Sequence, residues 1–138
     1  MRTLVCLALT VAAAAGCAPG GPDHSHHHQH HAMTAQDVAL LRGVATTYLG
    51  LLSGGDPAKA WDMWTAEAQQ RDPRDVFVDR LAHCELGVPH EVLGVVADGP
   101  DVVRVSWRRG QRTGEHWLRS REGQWRVDPA DTSTCGAP

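Results

Sequence analysis

The sequence predicts an α+β fold, with N-terminal helices packed on a curved antiparallel sheet. Three observations carry this. Apolar residues recur at steps of three and four between Val38 and Leu52, the spacing of one helical face. From residue 90 onward the period falls to two, the spacing of strands. The links between those strands are short and rich in Gly, Pro and Asp, which joins neighbours as an antiparallel meander.

The elements follow in order. Thr34, with Asp37 three positions on, reads as a capping box. Val38, Leu41, Ala45, Tyr48 and Leu52 give the first helix its buried face, and Ser53-Gly54-Gly55 stops it. Asp56-Pro57 restarts a helix, with Asp as the cap and Pro at the first helical position. Ala60, Trp61, Trp64 and Ala68 form the face of this second helix. Asp72-Pro73 repeats the start signal for a third, with Val76, Phe77 and Leu81 inward and an end near His83-Cys84. Strands are expected at His90 to Asp98, Val102 to Arg109, Glu115 to Arg121 and Gln124 to Asp128. Gly110 to Gly114 is the expected loop between the second and third. In the second strand Val103, Val105 and Trp107 share one face, and Arg104, Ser106 and Arg108 share the other.

Ahead of the fold stand two segments that cannot contribute a core. Met1-Arg2 followed by an apolar run from Leu4 to Ala15, with Thr10 its one polar residue, has the length of a secretory leader and is short of a membrane span. It ends in Ala13-Ala14-Ala15-Gly16 directly before Cys17. This resembles a bacterial lipoprotein signal peptide over residues 1–16. The resemblance implies cleavage before Cys17 and acylation of that cysteine, with palmitate or a similar chain. Ala14 stands where such signals more often carry leucine, which leaves ordinary secretion as the alternative. More than one acyl chain suffices for stable anchoring, so the expected place is the cell membrane, on its extracytoplasmic face.

Residues 17–32 form a tether of Gly, Pro and polar residues, which cannot pack a core. Within it lie His24, His26, His27, His28, His30 and His31. Neutral imidazole ligates zinc, copper and nickel, so this tract is the candidate metal site and the source of an alternative, metal-handling function. Otherwise no cofactor is expected.

The remaining domain, residues 33–138, includes a C-terminal tail. Cys84 and Cys135 are its two cysteines. In an oxidising compartment, and without metal-type spacing, they are expected to form a disulfide. The full chain carries a formal charge of −3, which argues against nucleic acid as a partner. Residues 104–126 are locally basic, with seven Arg against Glu115 and Glu122; alternation places most of these on the wet face of a sheet.

Three motifs appear in sequence order: Tyr48-Leu49-Gly50-Leu51-Leu52-Ser53-Gly54-Gly55-Asp56; Ala60-Trp61 with Trp64; and Gly123-Gln124-Trp125-Arg126-Val127. Over residues 34–128 this order resembles the nuclear-transport-factor-2-like, cystatin-like cone fold, and within it small actinobacterial lipoproteins. The resemblance implies helices laid across a bent sheet with an apolar pocket between them. That family holds isomerases and dehydratases beside many non-catalytic domains, so fold leaves function open.

A ketosteroid-isomerase-like reading would place an oxyanion donor at Tyr48 and a base at Asp72-Pro73. It lacks a second buried acid on the later strands. The expectation here is that Tyr48 packs in the core with its hydroxyl bonded, and that Asp72 caps a helix. His83, beside Cys84-Glu85, is expected to be structural or exposed. His90 and His116 are the other histidines outside the tract, and His116 is flanked by Glu115 and Trp117, one of them expected in solvent. Trp61, Trp64, Trp107, Trp117 and Trp125 read as core or pocket lining, with Tyr48, Trp61, Trp64 and Trp107 the candidate pocket wall. The expected function is a membrane-anchored, non-catalytic domain that binds a small apolar ligand or an envelope protein. An isomerase- or dehydratase-like enzyme using Tyr48 is the further alternative.

Overall fold

The computed structural model describes residues 33–84 and 86–129. Cys17, the histidine tract and Cys135 lie outside the described residues. The described chain runs α1 (Ala35–Gly54), α2 (Pro57–Asp62), α3 (Ala66–Arg71), α4 (Arg74–Ala82), β1 (His90–Gly99), β2 (Val102–Arg109), β3 (Arg112–Arg121) and β4 (Gln124–Pro129). The four strands form an open antiparallel sheet in the order β1-β2-β3-β4, and the helices pack against it. The α+β class follows.

Helix α1 is fixed at both ends by its own sequence. Thr34 Oγ1 accepts from the Asp37 backbone N–H at 3.1 Å, and the Thr34 N–H donates to the Asp37 carboxylate at 2.9 Å. At the other end Gly55 takes φ 80°, a left-handed cap that glycine adopts without a Cβ penalty. Leu41, Ala45, Tyr48, Leu49 and Leu52 are buried. Val38 is only half-buried.

The expected second helix is two helices. Met63 to Thr65 leaves helical geometry, and Trp64 forms a parallel bridge with Val127. The Val127 N–H donates to the Met63 carbonyl at 2.9 Å, and the Thr65 N–H donates to the Val127 carbonyl at 2.8 Å. Thr65 Oγ1 then caps α3 by accepting from the Ala68 N–H at 3.2 Å. Pairing with β4 satisfies backbone groups that a continuous helix would have used internally. Trp64 is still buried, 2% exposed, but it arrives there from an extended segment.

Two further expectations are corrected around α4. Pro73, not Asp72, is its N-cap, and no side chain caps it. The Asp72 carboxylate pairs with Arg80 instead, while the Asp72 carbonyl accepts from Trp61 Nε1 at 2.8 Å. Val76 is 51% exposed. It is one step, about 100°, from Phe77 on the helix, and Phe77 is the residue that points inward.

The third strand begins at Arg112, three residues before the expected start, and the loop is a tight turn at Gly110-Gln111. Gly114 looks like a loop residue in sequence but is a strand residue opposite Trp107. A Cβ built there would fall 2.3 Å from Trp107 Cζ2. The glycine therefore clears space for the indole. Gly114→Ala is expected to destabilise the fold by about 1–3 kcal/mol through overpacking, read from urea unfolding; an unchanged midpoint would show that the indole moves aside freely.

Two register irregularities in β1, at Val92/Gly94 and Ala97/Gly99, are of the kind that bend a strand. On the outer face the basic stripe meets acids: Arg104 with Glu115, Arg108 with Glu91, Arg119 with Asp128 and Arg121 with Glu67. Burial works against the Asp128 carboxylate, yet hydrogen bonds from Arg119 and Arg71 hold its pKa below the usual range. No helix among the described residues is long and apolar enough to cross a membrane.

Candidate functional site

Strand parity decides which groups face the helices. Val103, Val105 and Leu118 are buried on the inner face, so His116, two residues from Leu118, shares that side. Glu115 and Trp117 take the other; the Trp117 indole donates to Asp98 at 3.0 Å. Register places His116 opposite Val105, Gly114 opposite Trp107 and His90 opposite Arg109. Tyr48, Leu49, Leu52 and Ser53 of α1 cover this face.

Two ring pairs follow. Tyr48 meets His116 edge-on at 5.3 Å between centroids, and His90 meets Trp107 edge-on at 5.0 Å. The Tyr48 hydroxyl accepts from Trp64 Nε1 at 3.3 Å, as expected of a buried, bonded tyrosine. Burial pushes its pKa well above the ordinary range against the opposing effect of that bond. Tyr48 keeps its proton, and among the described residues that proton has no acceptor.

The histidines are unusual. His116 is 2% exposed, and neither of its ring nitrogens has a hydrogen-bond partner. His90 Nε2 is likewise buried without a partner. His90 Nδ1 lies 2.8 Å from Ser53 Oγ, which also donates to the Leu49 carbonyl at 3.0 Å. A hydroxyl has one hydrogen. Whichever of the two takes that hydrogen, Nδ1 is engaged by Ser53, and Nε2 is the His90 nitrogen left without a partner. Burial, with the charge of Arg109, lowers the His90 pKa to about 4. Burial, with the neighbouring His90, lowers that of His116 to about 4. Both rings are neutral at pH 7.

Beside His90 opens a cleft of about 420 Å³, lined by Pro89, His90, Glu91, Arg108, Gly110 and Gln111. A second, more apolar groove of about 340 Å³ lies between the end of α1 and α4, with Leu52, Pro57, Val78, Leu81 and Leu86 in its wall.

The four predicted wall residues divide. Tyr48 and Trp107 border the histidine cluster. Trp64 packs on Phe77 at 4.4 Å between ring centroids, and Trp61 lies beside Trp64; they fill the helix-side core. Asp72 is engaged by Arg80, and no hydrogen bond or ion pair joins it to Tyr48. His83 is exposed, its Nδ1 2.9 Å from the Asp79 carbonyl. Cys84 is half-buried against the core. Among the described residues no group of three His, Cys, Asp or Glu could hold a metal ion.

Sequence reasoning missed the joining of His90, His116 and Ser53 with Tyr48. A signal was present: extending β3 back to Gly114 pairs that glycine with Trp107 and fixes His116 on the inner side.

The arrangement can hold the polar end of a small molecule. It offers a phenol proton, one open ring nitrogen on His90 and two on His116. No family model, no curated protein and no solved structure matches the chain.

Proposed function

We propose that this chain is a lipid-anchored, extracytoplasmic binding protein. Its nuclear-transport-factor-2-like domain would hold a small molecule with an apolar body against the Tyr48–His90–His116–Trp107 face. One observation carries the ligand reading: three buried imidazole nitrogens without partners. Buried polar atoms are nearly always satisfied, and His90, which carries one of the three, also lines the cleft of about 420 Å³. The order of helices and meander supports the family reading, and the leader before Cys17 supports the anchor. A non-catalytic role is supported by the lack, among the described residues, of a hydrogen bond or ion pair from either histidine to a carboxylate that would orient or charge it.

Two measurements test this. The full chain should incorporate labelled palmitate and sediment with membranes, and Cys17→Ala should abolish both; an unlabelled wild-type chain overturns the anchor. One-ring organic compounds should raise the melting temperature and change Trp107 emission. If none of a panel of benzoate, benzamide, benzyl alcohol and benzylamine does either, the ligand reading fails.

We also propose a Cys84–Cys135 disulfide. Cys84 and Cys135 are the two cysteines beyond residue 17. By the chain-entropy argument a loop of that length is worth about 4 kcal/mol. Thiol titration of the denatured, unreduced domain should find neither cysteine free; two free thiols would refute the bridge. Metal capture by His24, His26, His27, His28, His30 and His31 is a second reading, supported by six imidazoles within nine residues. Zinc and copper titrations with and without residues 23–31 test it, and equal affinity for the two chains would end it.

A further inference from the structure

We propose that the seat of the second half of α1 on the sheet is an acid-sensitive latch. Protonation of His116 and His90 parts Tyr48, Leu49 and Ser53 from the inner face of β1–β3, while α4 and β4 stay folded. No ligand is needed for this, so it stands apart from the binding reading above.

The closed state has no place for an added proton. His116 is 2% exposed, and both its ring nitrogens lack a partner. A protonated imidazole carries two N–H groups, and nothing among the described residues accepts either one. His90 Nδ1 keeps Ser53 Oγ at 2.8 Å, but an Nε2–H has no acceptor. A buried charge without a partner is the costly case, and parting the rings from α1 gives them water.

The groups facing the rings can be named element by element. From α1 come Tyr48, which keeps its proton, and Ser53. From β1 comes His90; its neighbour Glu91 pairs with Arg108 on the outer face. From β2 comes Arg109, opposite His90, which donates from Nε to the Val88 carbonyl at 3.4 Å. From β3 come His116 and Arg112, the latter opposite Arg109; both arginines have partners of their own. From β4 comes Pro129, opposite His116. Behind Tyr48 stands Trp64, and the buried carboxylate of that side, Asp72, is held by Arg80. Among the described residues no carboxylate is bonded to either histidine.

The way α1 is held decides which part releases. Arg42 ties the first half to the sheet, donating to the Val92 carbonyl at 2.9 Å. The second half is held by Ser53, through its hydroxyl to the titrating His90 and through its carbonyl to the Gly87 N–H at 3.1 Å. Gly43 and Gly50 lie within this helix, and glycine weakens a helix interior. The opposite side is joined without a histidine: Trp64 packs on Phe77, and Val127 pairs by backbone with Met63 and Thr65. A short helical segment deprived of its packing is marginal in water, so release shows as exchange of its amide hydrogens.

In water each ring titrates near 6.5, and in the closed state only near 4. The closed form is therefore favoured above pH 6.5 and loses ground as pH falls from 6.5 toward 4.

Amide hydrogen exchange of the full chain at pH 7 and pH 5, read by mass spectrometry and corrected for the intrinsic pH dependence of exchange, tests the latch. Protection at residues 47–54 should fall about twentyfold from His116 alone. At pH 5 these amides should exchange about tenfold or more faster than those of residues 77–81 and 124–128. His116→Leu should remove most of the fall, and His90→Gln, which should reduce it, carries the comparison if the first variant fails to fold. Equal protection in the three segments at pH 5 overturns the latch in favour of unfolding of the whole domain. Unchanged protection at residues 47–54, or a wild-type fall in the variant that folds, overturns it as well.

Discussion

Replacing Trp64 with alanine is expected to destabilise the domain by about 3–5 kcal/mol, the usual cost of truncating a buried tryptophan. Two side-chain supports are lost at once, and the site of the loss cannot easily collapse. The indole is 2% exposed and packs on Phe77 at 4.4 Å between centroids. Its Nε1–H is the donor to the Tyr48 hydroxyl at 3.3 Å, so the phenol oxygen is left buried and unbonded. Its backbone bridges to Val127, so the cavity opens where helices meet β4 and cannot close without disturbing that strand. Trp64→Phe keeps most of the ring contact and removes the hydrogen bond, and should cost well under half as much. Urea unfolding of the three proteins reads both terms. A Trp64→Ala chain within 1 kcal/mol of wild type, on the scale of ordinary surface changes, would place Trp64 outside the core.

The second large effect is acid lability. The His116 pKa is lowered from 6.5 to about 4, chiefly by burial. The unfolded chain therefore binds a proton as pH falls below 6.5, while the folded chain does not until about 4. Stability is fully present above pH 6.5 and is lost between those values. At about 1.4 kcal/mol per pH unit, His116 alone removes about 2 kcal/mol at pH 5 and about 3 kcal/mol at pH 4. His90 acts in the same direction, with solvent screening reducing its share. Unfolding free energies at pH 7 and pH 5 should differ accordingly, and His116→Leu should flatten the dependence over that interval. Carboxylates titrate mainly below this range, so the comparison isolates the imidazole. Equal slopes for wild type and variant would mean that His116 is solvated in the folded state.

The two effects meet at Tyr48. Trp64 holds its hydroxyl from the helix side and His116 lies against its ring from the sheet side. A variant in which Tyr48 shifts should therefore alter both the core and the acid response.

Local chemistry made much of the fold legible. Thr34 and Asp37 define the start of α1, and Gly55 its end, because capping depends on residues a few positions apart. The Val103, Val105 and Trp107 alternation gives β2 for the same reason: period two needs no distant partner. Glu122-Gly123 reads correctly as a turn, since both residues take positive φ, 53° and 77°, the conformation of a tight hairpin.

What only the tertiary structure decided depends on partners far along the chain. The helix expected through Trp61 and Trp64 breaks because Val127, more than sixty residues away, pairs with Met63 and Thr65. Asp72 leaves its capping role because Arg80 is within reach. Gly114 becomes a strand residue because an indole from β2 needs its space. The candidate site itself joins Tyr48 and Ser53 of α1, His90 of β1 and His116 of β3. Sequence determined that each of these groups exists and which element carries it. Only the packing of α1 onto the sheet removed the imidazoles from water, and that desolvation holds them neutral.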